Sequence, residues 1–163
     1  MNLVNDLAEL ALATRLKRLS ERLSQDVSKI YKESEADFEA KWYLVLELLS
    51  RQKLLGITEI SELLQLSHPA VVQFVDQLLK RNLVKVSTDK NDARRRLVAL
   101  SGAGKKLLQQ IEPVLNVIKE ENRLWINEAS YDILKLLTEL EQALDERSMY
   151  QRIKMNLLQH PKT

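Results

Sequence analysis

From Leu12 the apolar residues recur at Leu16, Leu19, Leu23, Val27 and Ile30. Spacings of three and four put them on one face of a helix of about five turns or more. A second segment, EAKWYLVLELLSRQ, is apolar on more than one side and predicts a helix buried within the domain. Two shorter helices follow. Thr58 is placed to cap EISELLQL, and Ser67 to cap HPAVVQFVDQLLKRN, with Pro69 near the first turn, where its missing N–H costs nothing. The period then changes. LVKVS and RRLVALS alternate as short strands around TDKNDA, which has the turn chemistry of a hairpin loop. Ser101 offers an N-cap to a long helix bearing Leu108, Ile111, Leu115, Ile118 and Trp125. Pro113 lies inside that pattern and is expected to kink the helix or split it near Glu112. A last helix from near Ser130 carries Ile133, Leu137, Leu140 and Leu144 on one stripe. The tail from Met149 keeps helical spacing at Ile153 and Leu157 and is expected to fray at QHPKT.

The order is four helices, a hairpin and two helices, a mainly α class with a small β wing. Two helices joined by a tight polar turn and followed directly by a hairpin make a winged helix-turn-helix, whose second helix can enter a major groove while the hairpin reaches the backbone or minor groove. The apolar stripes of the first and last helices are longer than one small domain needs, and such stripes ordinarily seek a partner helix. The competing arrangement packs them on each other within one subunit.

Composition removes several function classes. The 163 residues, 45% apolar and 29% charged, suit one globular domain of ordinary size. With no cysteine and only two histidines, His68 and His160, neither a thiolate metal site nor a structural metal is expected, and no cofactor. The same scarcity leaves general acid-base chemistry little to work with, so an enzyme is not expected. Asp6 and Glu9 interrupt any signal-like apolar region, and no apolar run approaches a membrane span, which makes the cytoplasm the expected location.

Charge is concentrated where the hairpin lies. The net charge is +2, yet Lys85 to Lys106 holds seven basic residues against Asp89 and Asp92. A local excess of that kind is the footprint of a phosphate-binding surface. Strand alternation sends Arg94 and Arg96 to one face and Arg95 to the other. Asp92 is near enough in sequence to orient the Arg94 guanidinium, although a solvated hairpin with a weak surface pair is the competing reading. On the second short helix, Val71, Val75, Leu78 and Leu79 form the expected inward stripe. The outward face then carries His68, Ala70, Val72, Gln73 and Asp76. Gln73 can pair bidentately with adenine, and Ala70 and Val72 can meet thymine methyls. No Arg or Lys occurs between Ser67 and Gln77, so this face offers readout rather than affinity.

These residues resemble the MarR family of bacterial winged-helix regulators. The resemblance rests on Asp92, Arg94, the run Leu97 to Leu100, Ser101 and Gly104 in the wing, and on ITEISELLQLSHPAVVQFVDQLLKRNLV for the two DNA-binding helices. Through ALATRLKRLSERLSQD, LSHPAVVQFV and LEQALDERSMYQRI it looks most similar to the MarR-like half of proteins that fuse such a domain to a GNAT-type acetyltransferase. The chain stops after the winged-helix half, and GAG at Gly102 to Gly104 reads as a helix start rather than a coenzyme A loop, so acetyl transfer is not expected.

The resemblance implies one MarR-type domain over residues 1–163, with dimerisation helices in 1–40 and 105–163 and the winged lobe in 41–104. It implies a homodimer on a pseudo-palindromic operator of double-stranded DNA, acting as a transcriptional repressor that a small ligand releases. The DNA-binding set it implies is Ser67, His68, Pro69, Ala70, Val72, Gln73, Lys90, Asp92, Arg94, Arg95 and Arg96. Gln73 stands where many relatives carry a basic residue. A small aromatic ligand would sit near Tyr31, Phe38, Trp42 and Tyr43, which core packing also explains. The alternative function is a winged-helix protein-interaction adaptor that has no operator.

Overall fold

The structure, a computed structural model, describes residues 2–34, 38–89, 92 and 95–159. The chain divides into two compact units, Met1–Asn116 and Val117–Thr163. In the first, a short α1 (Leu3–Asp6) and a 3-10 turn lead into α2 (Leu12–Glu33). A second 3-10 turn, Ala40–Trp42, precedes α3 (Tyr43–Gln52), β1 (Leu54–Gly56), α4 (Ile57–Leu64) and α5 (His68–Lys80). The strands β2 (Val84–Thr88) and β3 (Arg96–Leu100) follow, then α6 (Gly102–Asn127), within which the division between the units falls. The second unit continues with α7 (Ile133–Glu146) and α8 (Met149–Gln159). The class is mainly helical with a small antiparallel sheet, as the period change along the chain predicts.

The core of the first unit is built from the faces that the periodicity selects. Val45, Leu46 and Leu49 of α3, Ile60 of α4, Val71, Val75 and Leu78 of α5, Val98 of β3 and Ile111 of α6 are all essentially inaccessible. Leu79 departs from the expected inward stripe. At 39% exposure it lies beyond the edge of the buried face, because one helical step of about 100° from Leu78 turns it toward solvent.

Four features differ from the sequence reading. The sheet has three strands in the order β1-β3-β2, not two: Leu55 and Val86 both stand opposite Val98. Second, the N-cap of α4 is Gly56 rather than Thr58, and the Gly56 N–H donates to Glu59 Oε2 at 2.6 Å. Pairing of β1 with β3 holds Gly56 extended, so the helix starts one residue after the strand ends and Thr58 falls inside its first turn. Third, α6 is one continuous helix through Pro113, so the split near Glu112, one of the two outcomes expected there, does not occur. A proline costs one backbone bond and a clash with the preceding turn, about 3 kcal/mol, and a helix anchored through buried Leu107 and Ile111 retains its form. The last long helix begins at Ile133 with Asp132 as its cap, three residues later than expected, since the Asp132 carboxylate accepts from Lys135 N at 3.0 Å.

The turn between α4 and α5 is tight and polar, as expected. Gln65 takes the left-handed conformation (φ 51°), and Ser61 Oγ donates to the Leu66 carbonyl at 2.6 Å. Ser67 then caps α5 by accepting from Ala70 N at 3.4 Å. At the other end of the wing, Ser101 caps α6 by accepting from Gly104 N at 2.9 Å, and its hydroxyl donates to the Asn82 carbonyl at 2.6 Å.

Gly104 is required by a close approach. A Cβ there would overlap the Leu83 carbonyl oxygen, which is backbone and cannot move aside cheaply, whereas Gly102 faces open space. Gly104→Ala should therefore destabilise the protein by about 1–3 kcal/mol or more. Gly102→Ala should stay within about 0.5 kcal/mol of wild type. Urea denaturation midpoints check both.

Candidate nucleic-acid interface

The α5 surface left after core packing is small and nearly uncharged. His68, Pro69 and Gln73 are exposed, Ala70 and Val72 half-buried, and all five lie in the first half of the helix. Ser67 at the cap is exposed as well. Such a face offers amide and methyl groups, the chemistry that reads adenine edges and thymine methyls.

Asp76, on the same helix, is not a bare acid. Arg96 of β3 donates to its carboxylate at 3.0 Å, so a cation on the wing offsets the acid on the helix. The pair joins two elements that are 20 residues apart in sequence. No spacing in the chain signals it; the one hint is that Asp76 is the single acidic residue between Ser67 and Gln77 while the later strand carries arginines.

Arg95 points the other way, as strand alternation requires. Its guanidinium contacts Glu59 Oε1 of α4 at 2.7 Å and Asp89 Oδ2 at 3.3 Å. Its main chain is held too: Arg95 N–H donates to the Asp92 carbonyl at 3.0 Å, and Asp89 N–H donates to the Arg95 carbonyl at 2.9 Å. Glu59 was absent from the sequence-derived site. Its carboxyl is held below the usual glutamate range, first by the Gly56 N–H and then by Arg95, and Arg95 is raised in turn by Glu59. Lys90 and Arg94, named from the sequence, lie outside the described residues, and so does the proposed Asp92–Arg94 pair.

The aromatic candidates are gathered by the fold. Tyr31 of α2 packs edge-on against Phe38 with centroids 4.7 Å apart, and Phe38 meets Trp42 edge-on at 6.4 Å. All three are buried, and Tyr43 is half-buried beside them in sequence. Burial pushes the hydroxyl pKa of both Tyr31 and Tyr43 upward. Trp42 reaches the candidate reading helix near its C-terminal end: its indole N–H donates to Gln77 Oε1 at 3.0 Å, and the Arg81 guanidinium stands 4.8 Å over its ring. Among the described residues no group of three or more His, Asp or Glu side chains could hold a metal ion, and no helix is long and apolar enough to cross a membrane.

Comparison with known proteins places this geometry. Residues 40–95 match the model of the MarR family, a stretch running from the Trp42 turn through both helices to Arg95. No curated protein sequence matches the chain. Among solved structures, Sco3205, a MarR family transcriptional regulator from Streptomyces coelicolor in complex with DNA, superposes with a TM-score of 0.69 at 16% identity. The alignment covers 85% of this chain and 86% of that one. A mutant MarR from E. coli complexed with operator DNA gives 0.64 at 22% identity, over 88% and 99% of the two chains. The PcaV transcriptional regulator from Streptomyces coelicolor, with its natural ligand bound, gives 0.62 at 21%, over 84% and 96%. The fold is therefore the MarR-type winged helix, and the family and these neighbours are transcriptional regulators, not enzymes.

The depressed Glu59 pKa sets a pH dependence. A carboxylate with a lowered folded pKa contributes fully above the unfolded glutamate value of about 4.3, and the contribution fades as pH falls through the folded value. Glu59→Gln should accordingly lower the urea midpoint at pH 7, and the gap from wild type should narrow as pH falls below the unfolded glutamate value of about 4.3 and through the lower folded value.

Proposed function

We propose that the chain is a homodimeric, sequence-specific DNA-binding transcriptional regulator of the MarR type, a repressor released by a small aromatic ligand and acting in the cytoplasm. The observation that carries this reading is the exposed, uncharged start of α5, whose one nearby acid is neutralised by Arg96 of the wing. A duplex approaching α5 then meets no uncompensated negative charge at Asp76. The DNA complexes of two neighbours of the same fold support the assignment.

In this reading Ser67, His68 and Pro69 at the start of α5 approach the phosphate backbone, where helix N-termini favour anions. Gln73 pairs with adenine, and Ala70 and Val72 meet thymine methyls. Lys90 and Arg94 reach the backbone or minor groove, with Asp92 orienting Arg94.

Residues 1–163 act as one MarR-type domain, the winged lobe in 41–104 flanked by dimerisation helices in 1–40 and 105–163. Charge supports a second copy as partner. On α2, Arg15, Lys17, Arg18 and Arg22 accompany exposed Leu12 and Leu16, whereas on α7, Glu139, Glu141, Asp145 and Glu146 accompany exposed Leu140 and Leu144. Apolar stripes edged with opposite charge are complementary between copies. The aromatic junction of Tyr31, Phe38, Trp42 and Tyr43 is the ligand site of this reading, since the Trp42–Gln77 bond gives a bound molecule a lever on α5. Similarity to the MarR-like half of acetyltransferase fusions rests on ALATRLKRLSERLSQD, LSHPAVVQFV and LEQALDERSMYQRI.

One feature favours a second reading, an adaptor that binds protein rather than an operator: α5 has no basic residue between Ser67 and Gln77. Fluorescence anisotropy with a duplex from upstream of the protein's own gene and a scrambled control separates the two. The regulator should prefer the native duplex. Gln73→Ala should cut that preference by about 1–3 kcal/mol per half-site, and Arg94→Ala should make the log-log salt slope shallower by about one unit per phosphate contact removed. Equal, weak binding to native and scrambled duplexes, unchanged by Arg94→Ala, would favour the adaptor.

A further inference from the structure

Three groups converge at the base of the wing. Asp89 and Arg95 flank residues 90–94, and both their main chains and their side chains are joined: Asp89 N–H donates to the Arg95 carbonyl at 2.9 Å while the Arg95 guanidinium meets Asp89 Oδ2 at 3.3 Å. From the same guanidinium a second bond runs to Glu59 Oε1 at 2.7 Å, and Glu59 Oε2 accepts the Gly56 N–H at 2.6 Å. The path from Gly56 through Glu59 and Arg95 to Asp89 thus ties the base of the wing to the first turn of α4. Gly56 makes room for it, because a Cβ there would stand 3.1 Å from both Arg95 Nε and Glu59 Oε2.

An isolated surface pair would have little effect. This one is a network in which the Asp89 side chain is only 16% exposed and the guanidinium is shared between two carboxylates. A guanidinium shared between two carboxylates is already charge-compensated, and an incoming phosphate would face both of them.

We infer that Arg95 is a positioning residue rather than a phosphate contact: with Glu59 and Asp89 it fastens the base of the wing to α4 and so holds the wing for DNA. The inference rests on the DNA-binding reading and deepens it. A wing base held before binding lowers the entropic cost of association.

The two roles of Arg95 predict opposite effects of a substitution at its partner. Removing the Glu59 charge would leave a phosphate-binding Arg95 freer and DNA binding unchanged or tighter. It would loosen a positioning Arg95 and weaken binding. Glutamine keeps an acceptor for the Gly56 N–H, so Glu59→Gln spares the α4 cap. The experiment uses the full chain as wild type, Glu59→Gln, Arg95→Ala and the double variant, with thermal melts to confirm folding.

Amide hydrogen exchange without DNA should show faster exchange at Asp89 and Arg95 in each single variant, and no further increase in the double. Anisotropy with the native duplex should show each single variant binding roughly 2–10-fold more weakly, the double no weaker than Arg95→Ala, and an unchanged salt slope. Unchanged amide exchange overturns the inference, as does tighter binding by Glu59→Gln or a salt slope made shallower by Arg95→Ala. Faster exchange in a protein whose wild type binds no duplex would support the fastening and overturn the DNA reading itself.

Discussion

The wing depends on one buried serine. Ser101 is 5% exposed and makes four hydrogen bonds within a few ångströms: its N–H donates to the Leu83 carbonyl, its hydroxyl donates to the Asn82 carbonyl and accepts from Gly104 N, and its carbonyl accepts from Lys105 N. The end of β3, the turn after α5 and the start of α6 therefore meet at a single side chain. Asn82 supplies the turn by adopting a left-handed φ of 58°, which its short polar side chain tolerates. Every group in this knot is satisfied, and the absence of a side chain at Gly104 lets α6 approach the Leu83 carbonyl closely enough for the knot to close.

From that anchor the charges of β3 and the residue before it divide between two neighbours. Arg95 turns to Glu59 on α4 and Arg96 to Asp76 on α5, so consecutive arginines brace the sheet against both helices of the helix-turn-helix. The local excess of positive charge in the sequence is thereby partly internal. Two of the three arginines already have acidic partners, which leaves a smaller electrostatic surface than the count from Lys85 to Lys106 indicates.

Much of the fold was legible because its signals are local. Helical spacing in α2, α3, α5 and α6, the cap at Ser67, the cap at Ser101 and the alternation around the hairpin each act over a few residues. What was missed is long-range. β1 is three residues long, with too few positions to show a period, and exists because β3 offers it an edge. That pairing moved the α4 cap from Thr58 to Gly56. Of the site, the exposed face of α5 could be read from helical phase, and the opposed directions of Arg95 and Arg96 from strand alternation. Their partners Glu59 and Asp76 are harder to read, since a salt bridge spanning 20 or more residues leaves no periodic spacing in the chain.

The Arg96–Asp76 pair also limits how this surface can diversify. A helix that presents a small reading face changes its preference by exchanging side chains on it, and here Ala70, Val72 and Gln73 can change without disturbing the wing. Asp76 differs from them: reversing or deleting its charge leaves the Arg96 guanidinium on the strand beside it without that carboxylate, so a change at 76 also alters the charge that the wing presents. Substitutions in the first turns of α5 alter that face alone, whereas one at 76 changes the helix and the sheet together.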